Sequence, residues 1–148
     1  MARLLGFFMD GCPHCKAFKP CWEKLKENLA RTSVEILTPE MFIDDRQTIN
    51  PLWRQYAVRG APTVFVQRGE RIVRVPVGYT CEFNGSCQEE GGSFVMNAST
   101  EESEKITRAA IVLLLLDDDL FDGAYEQRND ASALVCFLKT AVESRMRR

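Results

Sequence analysis

Cys12-Pro13-His14-Cys15 sets two thiols three positions apart. That spacing suits metal binding or dithiol–disulfide exchange. In exchange, one thiolate attacks a disulfide sulfur, and a second thiol then resolves the mixed disulfide. The element that follows helps to decide between the two. Pro13 fits the first turn of a helix, where its missing N–H is not needed. Behind it, Cys15, Phe18, Trp22, Leu25 and Leu29 recur at helical spacing, with Lys16, Lys19, Lys24, Lys26 and Glu27 between them. The start of a helix favours an anion through its unpaired N–H groups and dipole. Cys12 is therefore expected there as an exposed nucleophile, with Cys15 one turn deeper as the resolving thiol. His14 is the single histidine of the chain. Protonated, it would support the Cys12 thiolate and shift the pair toward an oxidant. A plain polar residue at a helix start is the alternative for His14. A zinc site would need four ligands, and this pair with a histidine inside it lacks the usual spacing. No metal and no cofactor is expected.

The surrounding elements must position that pair. Leu4 to Met9 is an almost wholly apolar run, which suits a strand covered on both faces. Pro20 should kink the helix rather than end it. Val34 to Leu37 reads as a second strand, and strand–helix–strand implies a parallel crossover. Thr38 to Thr48 is irregular. Asn50 and Pro51 read as the cap and first position of a helix running to Tyr56. Thr63–Gln67 and Arg71–Val77, joined by Arg68-Gly69-Glu70, read as a hairpin that Gly78 ends.

Thr80 to Asn97 reads as a loop. Ser99 with Glu102 resembles a capping box. Ile106, Ala109, Ala110, Leu113 and Leu114 then follow helical spacing, and a buried strand over Ile111–Leu116 competes with that reading. Asp117 to Asp119 reads as a solvated run, since the ligand pattern of a calcium loop is absent. Asp130 can cap a last helix over Ala131–Arg147, with Leu134, Leu138, Ala141 and Val142 inward. Its end, Arg145-Met146-Arg147-Arg148, places positive charge at the negative pole of the helix.

Composition narrows the function classes. The 148 residues are 45% hydrophobic and 27% charged, which excludes overall disorder. The formal charge of −2 gives no basic excess for nucleic acid. The longest apolar run, Ala109 to Leu116, is too short to span a bilayer. Met1 to Met9 lacks a cleavage site, and losing it would remove the strand behind Cys12. A cytoplasmic, reducing compartment is therefore expected, where a close cysteine pair is more often redox-active or metal-binding than structural.

Four further cysteines remain. Cys21 lies about 9 Å along the helix from Cys15 and nearly opposite it, too far for a disulfide. It reads as a small buried apolar residue, and Cys136 is read the same way. Cys81 and Cys87 flank Asn84-Gly85, a strong turn signal. They could close a disulfide loop, accept electrons from the Cys12–Cys15 pair, remain loop thiols, or join that pair around zinc.

The stretch from Cys12 to Leu25 resembles the active-site helix of the thioredoxin and protein disulfide isomerase superfamily, including Pro20 five residues past the second cysteine. Tyr56-Ala57-Val58-Arg59-Gly60-Ala61-Pro62-Thr63 resembles the family's segment leading to its cis-proline. Gly78 matches the glycine after the family's hairpin. The resemblance covers residues 3 to 79 and extends to the last helix. It implies an α/β, thioredoxin-like fold in minimal form, β-α-β-α-β-β-α. It implies a single domain over 1–148, with a long insertion at about 79–129 before the last helix. Pro62 would be the cis-proline facing both cysteines, and Ala61 would offer its backbone to an extended substrate segment. The implied activity is thiol–disulfide exchange on protein substrates bearing disulfides or thiols, carried by Cys12 and Cys15 with Pro13 and His14 between them. A redox recycling partner is implied; nucleic acid and membrane are not.

Two departures stand out. The family's common tryptophan before the first cysteine is Gly11 here. The buried acid often found six residues before that cysteine is Gly6. A non-catalytic binding or assembly module is therefore the rival function, and a metal or cluster carrier the third.

Overall fold

Alternation in three strands makes two cores. In β1 (Ala2–Phe7), Leu4 faces one side of the sheet while Leu5 and Phe7 face the other, all three with no exposed surface. In β4 (Thr63–Arg68), Val64 and Val66 join Leu4, and Phe65 joins Leu5. β5 (Arg71–Val75) adds Val73 and Val75 to the Leu4 side. This period-two pattern with both faces apolar requires cover above and below. Each fully buried side chain of this kind contributes about 1.5–3 kcal/mol.

The computed structural model describes residues 2–44, 48–77, 79–82, 87–89 and 101–146. β1 pairs in parallel with β2 (Glu35–Leu37), Leu4 opposite Ile36, and antiparallel with β4, Leu5 opposite Phe65. β4 and β5 form the hairpin, so the sheet order is β2-β1-β4-β5. On one face lie α1 (Pro13–Leu29) and α3 (Glu101–Leu116). On the other lies α2 (Pro51–Gln55), capped by Asn50 and anchored by the buried Trp53. This is the mixed α/β architecture expected from the sequence, and α1 continues through Pro20.

The competition over Ile111–Leu116 is resolved in favour of helix. The buried stripe of α3 is Thr107, Ala110, Ile111, Leu114 and Leu115, turned by one residue from the expected one. The segment between the hairpin and the last helix thus contains the helix that covers the sheet beside α1. It also contains α4 (Asp118–Glu126), which the sequence reading passed over. Asp117 caps α4, accepting the Leu120 N–H at 3.0 Å, and pairs with Arg145 of α5 (Ala131–Met146). Asp118 pairs with Arg68, and Asp122 with Arg71 at 2.6 Å. Arg68 also donates to the Leu114 carbonyl at 3.2 Å, at the negative end of α3. The aspartate run therefore ties α4 to the hairpin and to α5. Asp130 caps α5 through the Ala133 N–H at 3.1 Å.

Two further strands replace part of the expected loop. β6 (Tyr79–Glu82) and β7 (Cys87–Glu89) pair antiparallel, and β6 pairs with β3 (Gly60–Ala61). A short strand pairs only where an open edge is available, and the edge that Gly60 and Ala61 offer is invisible in local sequence. The rest of the expected loop, Gly78, the Ser99 cap and the two final arginines lie outside the described residues.

Glu104 joins the two helices on the first face. Its carboxylate, 14% exposed, accepts from Lys24 of α1 at 2.8 Å and from Arg108 at 2.8 Å. The Lys24 hydrogen bond, helped by the charges of Lys24 and Arg108, holds its carboxyl below the usual range. The ionised form therefore belongs to the folded state. Its stabilisation is present at neutral pH and is lost as pH falls through the depressed folded value. In urea unfolding, Glu104→Gln is expected to be less stable than the parent at about pH 6, with the gap closing toward about pH 3. A gap independent of pH would contradict this.

Candidate active site

The chain leaves β1 through Phe8, Met9 and Asp10 and turns at Gly11. Gly11 has φ +74°, a left-handed conformation that side-chain-bearing residues rarely adopt. Space is not the constraint there, because a Cβ would meet nothing within 4 Å. The left-handed backbone turn accounts for the glycine at this position.

Cys12 is the N-cap of α1, with φ −85° and ψ 115°, and Pro13 is the first helical residue. The Cys15 N–H donates to the Cys12 sulfur at 3.4 Å, and the Lys16 N–H to the Cys12 carbonyl at 3.1 Å. The sulfur thus takes the place of the usual capping oxygen at the positive end of a 17-residue helix. The Cys12 thiol also donates to the Ala61 carbonyl at 3.4 Å. Cys15 lies one turn below, where its sulfur accepts the Met9 N–H at 3.4 Å. His14 is half-buried between them.

The opposing wall is rigidly held. The Ala61–Pro62 peptide bond is cis. Thr63 Oγ1 donates to the Gly60 carbonyl at 2.7 Å, and residues 60–66 are all buried. Behind the wall, Phe7 meets Trp53 edge-on at 5.3 Å and Phe65 at 5.8 Å. Trp53 Nε1 donates to the Pro39 carbonyl at 3.2 Å. Ala57, at φ +53°, ends α2 and turns the chain toward Gly60.

One expectation is corrected. Cys12 is only 5% exposed, close to the 3% of Cys15, whereas the sequence reading placed it open to solvent. Its sulfur lies against the carbonyl of Ala61, a β3 residue that pairs with β6. Ala61 is in register with Cys81, and Cys81 in turn with Cys87. The sequence does carry a signal for this hairpin, since Asn84-Gly85 favours a tight turn. It carries none for the strand that β6 joins.

The remaining cysteines separate. Cys21 has no exposed surface, and burial pushes its thiol up to about 12, with the nearby Glu104 charge adding to the effect. Cys136 is exposed, contrary to the expected burial. Leu134, Val135, Leu138 and Val142 set the inward face of α5, and Cys136 falls on the opposite side. In the native protein at neutral pH, Cys136 is expected to alkylate readily and Cys21 only on unfolding. Mass spectrometry after timed maleimide labelling checks this, and early labelling of Cys21 would contradict it. Among the described residues there is no cluster of three or more His, Cys, Asp or Glu placed to hold a metal ion.

The family model described as Thioredoxin matches residues 2–82, which include Cys12, Cys15, Ala61 and Pro62. A search of curated proteins finds no match. Among solved structures, one titled "Structure of a malarial protein" is similar at 20% identity and a TM-score of 0.40, covering 50% of this chain and 78% of that one.

Proposed function

Because the chain belongs to the thioredoxin family, we propose that it is a thiol–disulfide oxidoreductase acting on protein substrates, with Cys12 the nucleophile and Cys15 the resolving thiol. The observation that carries this reading is the setting of the Cys12 sulfur. It caps a helix, receives the Cys15 N–H and touches the carbonyl beside a cis-proline.

The Cys12 thiolate attacks one sulfur of a substrate disulfide, and the substrate's other sulfur leaves as a thiolate that takes up a proton. Cys15, deprotonated, then attacks the Cys12 sulfur and expels the substrate as a second thiol. Two electrons pass to the substrate, and the enzyme is left with a Cys12–Cys15 disulfide. A partner dithiol restores the starting state, and the reverse sequence oxidises substrate dithiols. Ala61 and Pro62 form the wall along which an extended substrate segment lies. His14, when protonated, supports the Cys12 anion, so the pair leans toward oxidation.

The burial of Cys12 favours a second reading, a binding or assembly module that retains an idle pair. Turnover decides between them. A Cys15→Ser protein exposed to a disulfide-bearing protein should accumulate a mixed disulfide through Cys12, visible on denaturing gels without reductant. The absence of any trapped species would favour the binding module. Among the described residues, no helix is long and apolar enough to cross a membrane.

A further inference from the structure

The geometry points to Cys81 and Cys87 as a second dithiol that exchanges electrons with Cys12 and Cys15 within one chain, because β6 lies along β3 with Cys81 in register with Ala61. This rests on the dithiol reading above. Residues in register on antiparallel strands lie about 4.5–5.5 Å apart between Cα atoms. One such step links Ala61 to Cys81, and another links Cys81 to Cys87. The Ala61 carbonyl accepts from the Cys12 thiol at 3.4 Å. β6 also neighbours α1, the helix that Cys12 caps and that contains Cys15. Either kind of antiparallel pair falls within the Cα separation of about 4.4–6.8 Å that a disulfide requires. Hence the backbone holds residues 81 and 87 at a separation that a disulfide can span, and Cys81 occupies the register of a substrate cysteine laid along Ala61. The chain has its own strand where a client's would lie, which accords with a Cys12 that is only 5% exposed.

The exchange balances without an outside reagent. The Cys12 thiolate attacks the Cys81 sulfur of a Cys81–Cys87 disulfide, forming Cys12–Cys81 and releasing the Cys87 thiolate. Cys15, deprotonated, attacks the Cys12 sulfur, forming Cys12–Cys15 and releasing the Cys81 thiolate. Two protons pass from the first pair to the second. The site pair is oxidised by two electrons, and the hairpin pair is reduced by two. The hairpin thus stores oxidising or reducing equivalents for the site, and an external protein competes with β6 for the same edge.

The test uses the full chain in two double variants. Cys15→Ser with Cys87→Ser keeps Cys12 and Cys81. Cys15→Ser with Cys81→Ser keeps Cys12 and Cys87. Each is oxidised with glutathione disulfide, blocked with maleimide, digested and mapped for linked peptides. The Cys12–Cys81 link is expected to form at least about tenfold faster than Cys12–Cys87, since only the former pair shares the Ala61 register. Equal rates, or no Cys12–Cys81 link in a protein whose circular dichroism matches the parent, would overturn the proposal. A second measurement does not depend on the double variants. In graded glutathione buffers, a Cys12→Ser chain should equilibrate its Cys81–Cys87 couple at least about tenfold more slowly than the parent. An unchanged rate would also overturn the proposal. If the parent forms Cys12–Cys15 and reduces an external protein while both tests fail, only the hairpin's role falls. If Cys12–Cys15 never forms, the oxidoreductase reading falls and takes this one with it.

Discussion

Replacing Cys12 by serine is expected to drop protein-disulfide reduction to the uncatalysed background while leaving the fold intact. Serine is a good N-cap, so its hydroxyl can accept the Cys15 N–H that now reaches the sulfur at 3.4 Å. The helix start is preserved, and stability should stay within about 1 kcal/mol of the parent. The chemistry is not preserved, because a hydroxyl is not ionised at neutral pH and does not displace a thiolate from a disulfide. Cys15 cannot substitute. Cys15 is only 3% exposed, its sulfur accepts the Met9 N–H, and it is Cys12 whose sulfur touches the Ala61 carbonyl. Cys15→Ser should behave differently, retaining the first attack and losing release. The comparison is an insulin-type turnover assay run beside a non-reducing gel. Cys12→Ser should show neither turnover nor an adduct, whereas Cys15→Ser should show an adduct without turnover. Turnover above background in Cys12→Ser, or an adduct formed by that variant, would mean that Cys12 is not the nucleophile.

Gly6→Ala is expected to destabilise the protein by about 1–3 kcal/mol, the range for forcing extra atoms into a packed core. A Cβ at Gly6 would lie 2.6 Å from Trp22 Cη2, 2.8 Å from Trp22 Cζ2 and 2.8 Å from Phe8 Cε2. Real Cβ contacts are almost never that short, and neither ring is free to retreat. Trp22 is 2% exposed and meets Phe8 edge-on at 5.2 Å, while Phe8 also stacks on Phe18 at 6.1 Å. The indole fills the space that a side chain at position 6 would need. Gly6→Asp should cost more than Gly6→Ala, since it adds a buried charge to the same clash. Trp22→Phe removes the atoms at Cη2 and Cζ2. It also removes the indole N–H, a buried donor without a partner among the described residues. Gly6→Ala should therefore cost far less in the Trp22→Phe background, and a double-mutant cycle by urea unfolding measures the coupling. Strict additivity would show that Trp22 is not what keeps residue 6 a glycine.

The sequence by itself determined what short-range physics can carry. Cys12, Pro13 and the apolar spacing from Cys15 to Leu29 specify a helix with a sulfur at its head, and the helix forms there. The apolar run before it becomes β1, and Asn50-Pro51 starts α2 where capping chemistry requires. Asp130 likewise caps the last helix. Cap geometry, period and turn preference act over a few residues, so a single chain displays them. The buried stripe of α3 lies one residue from the one that periodicity predicts, because Leu113 and Leu114 are equally apolar and only packing on α1 and the sheet chooses between them. Cys136 was misplaced for a similar reason. A thiol reads as apolar on any face, and the inward face of α5 is set by the neighbours it packs against.

Tertiary structure alone decided the surroundings of the reactive sulfur. Cys12 is covered because a carbonyl from 49 positions along the chain lies over it. β6 finds an edge only once β3 exists. The register joining Ala61, Cys81 and Cys87 belongs to hydrogen bonds between distant segments. Backbone pairing of this kind has no local signature, since every residue carries the same donor and acceptor. Which strands meet is therefore a property of the folded chain and not of any stretch within it.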